Sequence, residues 1–106
     1  MVKESMYQAK LIKKLEKMFP GCIVLKNDSG YIQGIPDLTI LYKDRWAVLE
    51  VKASSDSPNQ ANQQFYVEKL GSMSYSAFIC PENEKVVLND LQHTFGLSRS
   101  ACILES

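Results

Sequence analysis

The feature that most constrains this chain is a pair of apolar segments, residues 37–42 and 45–52, separated only by Lys43 and Asp44. Both segments contain β-branched and aromatic residues, which predicts strands. A two-residue connection can join two strands only as an antiparallel hairpin, because a parallel pair needs a crossover of a dozen residues or more. Lys43-Asp44 is not the Asn-Gly type of turn that hairpins favour. The spacing nevertheless predicts a hairpin in which Tyr42 pairs with Arg45.

The rest of the chain alternates between helical and extended patterns. The predicted elements are, in chain order, a helix over residues 3–19, strands at 22–25, 37–42 and 45–52, a helix over 59–70, a strand at 75–80, and a helix that Asn83 caps and that runs through residue 91. This order, α-β-β-β-α-β-α, is typical of an α/β domain with a mixed central sheet flanked by helices. Because the sequence has no long linker, we expect a single domain over residues 1–106.

Two charged residues interrupt the apolar pattern of the second hairpin strand. Side chains alternate along a strand, so Glu50 and Lys52 share a face with Trp46 and Val48. A carboxylate and an ammonium thus continue a face that begins apolar. Taken alone, this pattern favours a salt-bridged strand end that emerges into water.

Asp37 gives these two residues a second interpretation. If Tyr42 pairs with Arg45, the same register places Asp37 directly opposite Glu50, with Cβ atoms roughly 4.5–5.5 Å apart. Two carboxylates at that separation can hold one cation, and without a cation they repel each other. A register slip of one residue would remove the pairing. The sequence therefore predicts an acidic pair at this edge of the hairpin, provided that the register holds.

Two further polar residues have the phase of apolar helix faces. Glu4 shares the phase of Tyr7 and Leu11, where it either complements the helix dipole or serves a site nearby. Gln63 shares a face of its predicted helix with Val67 and Leu70. An inward-facing amide usually satisfies buried backbone groups, and here it could alternatively fix a lysine or a water in an active site.

The net charge is zero, but the charges are distributed unevenly. Five lysines of the first helix gather on one face and could follow a phosphate backbone: Lys3, Lys10, Lys13, Lys14 and Lys17. A solvated lysine face is an equally good interpretation. Tyr31, in the loop before Asp37, is a candidate for stacking on a base. The three cysteines have no C-x-x-C spacing and the chain has one histidine, so neither a zinc site nor a covalent nucleophile is expected.

The segment Gly34-Ile35-Pro36-Asp37-Leu38 is followed, after twelve residues, by Glu50-Val51-Lys52. This resembles the P-D…(D/E)-x-K signature of the PD-(D/E)XK nuclease superfamily. The fuller pattern adds a first helix with Glu4 and Gln8 and a glutamine-bearing helix that ends at Leu70-Gly71. It resembles the VRR-NUC branch, in particular the stand-alone versions of phages and bacteria.

The resemblance implies a restriction-endonuclease-like core and a role for each matched residue. Asp37, Glu50 and the Val51 carbonyl would bind Mg²⁺ or Mn²⁺, and Lys52 would position or activate the attacking water. Glu4 would be the helix-borne acid near the metal. The motif glutamine would be Gln63, Gln60 or Gln64, and helical phase favours Gln63.

The expected function is a cytoplasmic, metal-dependent DNA endonuclease that selects branched or nicked DNA and has no membrane partner. Nothing in the sequence discriminates against RNA as a substrate. A homodimer is expected because double-strand cleavage needs two catalytic centres, and residues 101–104 offer apolar side chains for a contact. The alternative is a nuclease-fold module that binds nucleic acid or protein without cutting.

Overall fold

The structure of the protein is a computed structural model, and it describes residues 3–96. Its elements are α1 (Glu4–Met18), β1 (Ile23–Lys26), β2 (Leu38–Tyr42), β3 (Arg45–Val51), α2 (Ala61–Gly71), β4 (Tyr75–Ile79) and α3 (Glu84–Thr94). The predicted order of helices and strands is confirmed, and the predicted bounds differ from these by at most three residues. The chain is therefore an α/β fold with a mixed sheet.

The sheet is built around the predicted hairpin. Its strand order is β1-β2-β3-β4, with β1 and β3 antiparallel to β2 and with β4 parallel to β3. The register of the hairpin runs from Tyr42 opposite Arg45 to Leu38 opposite Leu49, as the sequence predicts. Lys43 takes a left-handed backbone conformation, with φ of 57°, to make the turn. Because β1, β3 and β4 point the same way, their carboxyl ends lie at one edge of the sheet.

One face of the sheet carries the main hydrophobic core, against α1 and α3. The side chains of this core come from α1 (Tyr7, Leu11, Leu15), the strands (Leu38, Ile40, Ala47, Leu49, Val51, Ile79) and α3 (Val87, Leu88, Leu91). Alternate residues of β2 and β3 enter this core, because successive strand side chains point to opposite faces. Phe19, Tyr42 and Phe95 add an aromatic cluster with ring centroids 5.0 to 5.5 Å apart.

The opposite face of β3 carries Trp46, Val48 and Glu50, and Lys52 follows it. The α2 helix packs against β3 and β4, with Val67 as its buried residue. This face therefore holds both the predicted charged residues and the helix that bears Gln63.

The amino ends of the three helices gather at the edge where β3 and β4 end. The α2 helix begins after β3 and returns to the start of β4, and α3 begins directly after β4. The α1 helix leads into β1, so its last turn lies near the edge where β1 begins. Its first turn lies at the opposite edge of the sheet, where α3 also begins. The hydroxyl of Tyr7 in α1 donates a hydrogen bond to Glu84 Oε1 in α3 at 2.8 Å. This edge is where the candidate site residues meet.

Asn83 precedes α3 as predicted, but its side chain does not cap the helix. Its Oδ1 accepts a hydrogen bond from the Cys80 N–H at 2.8 Å, and its Nδ2 donates to the Phe78 carbonyl at 3.0 Å. The prediction of a capping side chain is wrong, because the polar groups at the end of β4 compete for the same amide. Asn83 thus ties α3 to the end of β4.

Two expectations concern the partners of the protein, namely that it has no membrane partner and that it forms a homodimer. Within residues 3–96, none of the helices has the length and apolar character that crossing a bilayer requires. Residues 101–104, expected to form a dimer contact, lie outside the described residues, so the homodimer stays a prediction.

Candidate active site

Asp37 is held at the start of β2 by hydrogen bonds on both sides. Its carbonyl accepts a hydrogen bond from the Asn27 N–H at 2.8 Å, and its Oδ2 accepts one from the Val51 N–H at 2.8 Å. The Asp37 side chain thus satisfies a backbone donor of β3 just beyond the last β2–β3 pair. The fully buried Pro36 precedes it, and the Asn27 side chain donates to the Pro36 carbonyl at 2.8 Å. The carboxylate is therefore fixed by the strands.

Glu50 lies deeper than Asp37, and only 3% of it is exposed. Its Oε2 accepts a hydrogen bond from Gln63 Nε2 at 3.0 Å. Burial of the carboxyl, followed by the negative charge of Asp37, raises the pKa of Glu50 from its ordinary 4.5 to about 8. The positive charge of Lys52 opposes this shift only in part. Because Leu38 pairs with Leu49, the observed register brings Asp37 and Glu50 to facing positions.

Lys52 is also buried, with 8% of it exposed. Its Nζ donates to Gln63 Oε1 at 2.7 Å and to the Pro58 carbonyl at 3.1 Å, and it lies 4.0 Å from Glu50 Oε2. A buried ammonium is stable only when it is paired and hydrogen-bonded, and these contacts meet that requirement. The solvent-exposed salt bridge that the strand pattern alone favours is therefore wrong.

Gln63 joins the two charged residues. Its amide nitrogen donates to Glu50, its amide oxygen accepts from Lys52, and the same oxygen accepts from the Gln60 N–H at 3.2 Å. Gln64 instead donates to Glu68 in the exposed part of α2, and the Gln60 side chain is exposed. Of the three glutamines that the sequence left open, the structure thus brings Gln63 to the Glu50–Lys52 pair.

Glu4 takes no part in the hydrogen bonds that join Asp37, Glu50, Lys52 and Gln63 to their partners. It is exposed in the first turn of α1, and its charge is the weakest of the influences that raise the pKa of Glu50. Residues 3–96 contain no group of three or more His, Cys, Asp or Glu side chains that could hold a metal. The expectation that Glu4 faces inward with the apolar stripe is therefore wrong. Glu4 contributes negative charge to the site from a distance.

The residues present fit a divalent cation held by two carboxylates. Asp37 and Glu50 each have one oxygen held by an N–H donor. Burial, the charge of Asp37 and a hydrogen bond between the two carboxyl groups raise the pKa of Glu50 to about 8, so without a cation the pair holds a proton near neutral pH. A divalent cation would take the place of that proton between the two carboxyl groups. Magnesium binds through one or two carboxylates and keeps several waters, so two protein carboxylates are a sufficient donor set. Val51 contributes its N–H to Asp37, and its side chain is fully buried in the core.

The lysine face of α1 is only partly available for phosphates. Lys14 forms an ion pair with Glu84 of α3, so it joins two helices and is not free for a ligand. Lys10, Lys13 and Lys17 are exposed. At 1.5 Å per residue, Lys17 lies about 20 Å along the helix from Glu4, well away from the carboxylate pair. These lysines could contact only a long or branched nucleic acid.

Two features of the site are missed by the sequence prediction. The first is the close approach of Gly34 to α2, where a Cβ on Gly34 would lie 2.5 Å from Asn62 Cβ. The sequence signal that could have predicted this approach is the glycine of the Gly-Ile-Pro-Asp segment. The second is a cavity beside β3, lined by Trp46, Val48 and Tyr31 among others. No local pattern predicts it, since its walls come from distant parts of the chain.

Comparisons of this chain with protein-family models, with curated proteins and with solved structures found no match.

Proposed function

We propose that this protein is a metal-dependent DNA endonuclease of the PD-(D/E)XK type, with Asp37, Glu50, Lys52 and Gln63 in its active site. The proposal rests on one observation, which is that a buried lysine lies next to two carboxyl groups that face each other. The Asp37 and Glu50 carboxylates face each other across β2 and β3, and Lys52 Nζ lies 4.0 Å from Glu50. A buried cluster of this kind costs folding free energy, so a function is the best reason to keep it.

The finer fold assignment, a restriction-endonuclease-like core, belongs to the same proposal. Its support is the α-β-β-β-α-β order and the placement of the motif residues. The proline-aspartate pair begins one strand of the hairpin, and Glu-x-Lys ends the other. These positions fit the resemblance to the VRR-NUC branch that the sequence carries.

Each residue has a task that follows from its contacts. Asp37 and Glu50 would hold Mg²⁺ or Mn²⁺, which prefer oxygen ligands, and the resemblance to the PD-(D/E)XK nucleases adds the Val51 carbonyl as a third ligand. Once bound, such a cation neutralises charge on a phosphate and lowers the pKa of a water. Lys52 brings a desolvated ammonium to the same place, where it would orient the attacking water or stabilise charge that develops on the phosphate. Gln63 holds Lys52 and Glu50 in a fixed relation through its amide.

Selectivity is proposed to rest on DNA shape. Arginine is the residue best suited to bidentate recognition of guanine. Arg45, the one arginine among residues 3–96, donates its Nη1 to the Thr94 carbonyl at 2.8 Å. The exposed basic groups of α1 are lysines, which suit phosphates. Branched or nicked DNA is therefore the favoured substrate.

One observation favours the alternative, a nuclease-fold module that binds without cutting. Only two acidic side chains converge, and the described residues offer no third metal-ligating side chain beside them. Such a module would bind nucleic acid or a protein partner through the same surfaces.

A cleavage panel separates the two functions. Linear duplex, nicked duplex, flap, splayed arm, four-way junction and single-stranded DNA are incubated with Mg²⁺ and with Mn²⁺, and RNA versions extend the panel. We expect faster cleavage of the branched or nicked substrates. Lys52→Ala should lose most of the activity and still bind metal, because both carboxylates remain. Intact DNA throughout would support the binding module, and cleavage at one short sequence regardless of branching would indicate a restriction-type enzyme.

The bridging amide gives a second prediction. Gln63→Leu removes the hydrogen bonds to Glu50 and Lys52, and groups that orient metal-site residues typically contribute about 10–100-fold in activity or metal affinity. Gln64→Leu is the matched control, since Gln64 lies in the same helix, is exposed, and donates its side-chain hydrogen bond to exposed Glu68. We expect the loss of cleavage rate for Gln63→Leu alone. Equal rates for the two variants would remove Gln63 from the site.

A further inference from the structure

An open cavity of about 370 Å³ lies between β3 and the loop before β2. Its apolar lining includes Trp46 and Val48 of β3 and Ile32 and Ile35 of the loop. Tyr31 of the same loop also lines the cavity and is 85% exposed. The size is in the range of small-molecule sites, which run from about 300 to 1,000 Å³. The cavity is therefore large enough for one flat ring system.

On two neighbouring strands, residues that line the cavity are the nearest same-face neighbours of the proposed active-site residues. Val48 lines it two residues before Glu50, and Thr39 lines it two residues after Asp37. Side chains two residues apart on one strand face are about 7 Å apart. That separation is comparable to the reach from a phosphate to the base of the same nucleotide. A phosphodiester held at the carboxylates would therefore bring a base to this cavity.

The polar groups of the cavity suit a base edge. Asn27 Nδ2 donates to the Pro36 carbonyl and to Thr39 Oγ1, both at 2.8 Å, so its two amide hydrogens are used. The Asn27 carbonyl oxygen remains as an acceptor, and the Thr39 hydroxyl hydrogen remains as a donor. The third polar side chain of the lining is Asp28, whose Oδ1 accepts a hydrogen bond from the Gly30 N–H at 2.8 Å. Few polar groups among apolar and aromatic walls are typical of a site that orients a ring by its edge.

The aromatic residues indicate how the ring is held. Bases stack on aromatic side chains in proteins that bind single-stranded nucleic acid. Tyr31 is the most exposed of the large apolar side chains in residues 3–96, and it lines the cavity. A tyrosine so exposed stabilises the fold little. Most of its ring surface is therefore accessible to a ligand that enters the cavity.

We propose that the cavity receives one unstacked nucleobase of the strand whose phosphodiester lies at Asp37 and Glu50. This inference rests on the proposed nuclease function, because it takes the bound strand from that site. It also gives the shape selectivity a physical cause. A base leaves the stack most easily at a junction, nick or strand end, where fewer neighbours hold it.

The test uses the fluorescence of Trp46, which is the only tryptophan of the chain and lines the cavity. The Lys52→Ala protein, which keeps both carboxylates and should bind metal with little cleavage, is titrated in the presence of Mg²⁺ with a short single-stranded DNA and with the same strand in abasic form. We expect saturable quenching by the strand with bases and little change with the abasic strand, although both present the same phosphates. Tyr31→Ala should weaken the response roughly 10-fold, and Tyr31→Phe should preserve it. Phe65→Ala removes an aromatic side chain 54% exposed outside the cavity and should change nothing.

The outcomes separate this inference from the proposed function. Equal responses to the two strands, or no response to either, would overturn the base site. If the protein cleaves DNA in the panel but its Trp46 fluorescence responds equally to both strands, the proposed nuclease function stands and only the base site is refuted. A base-dependent response from a protein that cuts no DNA would retain the site and overturn the endonuclease.

Discussion

Replacing Glu50 by glutamine is expected to abolish DNA cleavage and, at the same time, to raise the free energy of unfolding of the metal-free protein near neutral pH. Glutamine has nearly the same shape as glutamate and carries no charge. It removes the repulsion from Asp37 and the desolvation of a buried carboxylate, and both effects raise the pKa of Glu50. Cleavage is lost because one of the two carboxylates that would bind the cation is gone.

The pH dependence of stability follows from the same shift. The pKa of Glu50 is about 8 in the folded protein and 4.5 ordinarily, so the folded state binds its proton more tightly than the unfolded state. This contribution to stability is fully present below pH 4.5 and is lost as the pH rises towards 8. Each pKa unit corresponds to about 1.4 kcal/mol. Urea denaturation of the wild-type protein should therefore show falling stability across this range, and Glu50→Gln should flatten the dependence.

The matched control for this variant is Glu16→Gln, which removes an exposed carboxylate of α1. It should change neither cleavage nor the slope of stability against pH in the range set by Glu50. A readout independent of cleavage is metal binding, since a ligand of the folded state stabilises it by mass action. Mg²⁺ should raise the midpoint of thermal unfolding of the wild-type protein and leave that of Glu50→Gln unchanged. Unchanged cleavage by Glu50→Gln would show that the metal site is wrongly assigned.

The hairpin explains why the centre of the candidate site could be predicted. Two residues between two strands leave little freedom, so Tyr42 pairs with Arg45 and the register carries Asp37 to Glu50. Strand alternation then places Lys52 on the same face as Glu50. Helical phase alone identifies Gln63 among its neighbours. Each of these steps depends on the regular geometry of a hairpin, a strand or a helix, so the spacing of residues in the sequence is enough to predict it.

The failures share a different cause, which is contact between distant segments. Lys14 meets Glu84, 70 residues later, and no periodicity of α1 records that partner. Glu4 has the helical phase of Tyr7, but it is the first residue of α1. Tyr7 is the buried residue nearest that end of the helix, and Glu4, one turn before it, remains exposed. Asn83 precedes a helix and also follows a strand, and the groups at the end of the strand take its amide. Local patterns give a direction for a side chain, and tertiary packing decides what the side chain meets.

Gly34 gives the largest expected effect on stability. Its φ is +91°, a left-handed conformation that costs a residue with a Cβ about 1–2 kcal/mol. A Cβ at this position would also lie 2.6 Å from the backbone carbonyl carbon of Asn62, so the loop before Asp37 would have to move away from α2. Overpacking of this kind costs a further 1–3 kcal/mol, roughly. Gly34→Ala should therefore lower the free energy of unfolding by several kcal/mol and reduce cleavage, because the same loop leads to Asp37.

The chain offers a matched control in Gly21, whose φ is also +91° and whose added Cβ would meet nothing within 4 Å. Gly21→Ala should show the backbone cost alone, about 1–2 kcal/mol, with the cleavage rate unchanged. The difference between the two variants in urea denaturation measures the contact between the loop and α2. If both variants lose the same stability, the approach of Gly34 to Asn62 is not tight, and packing of this loop against α2 does not set the position of Asp37.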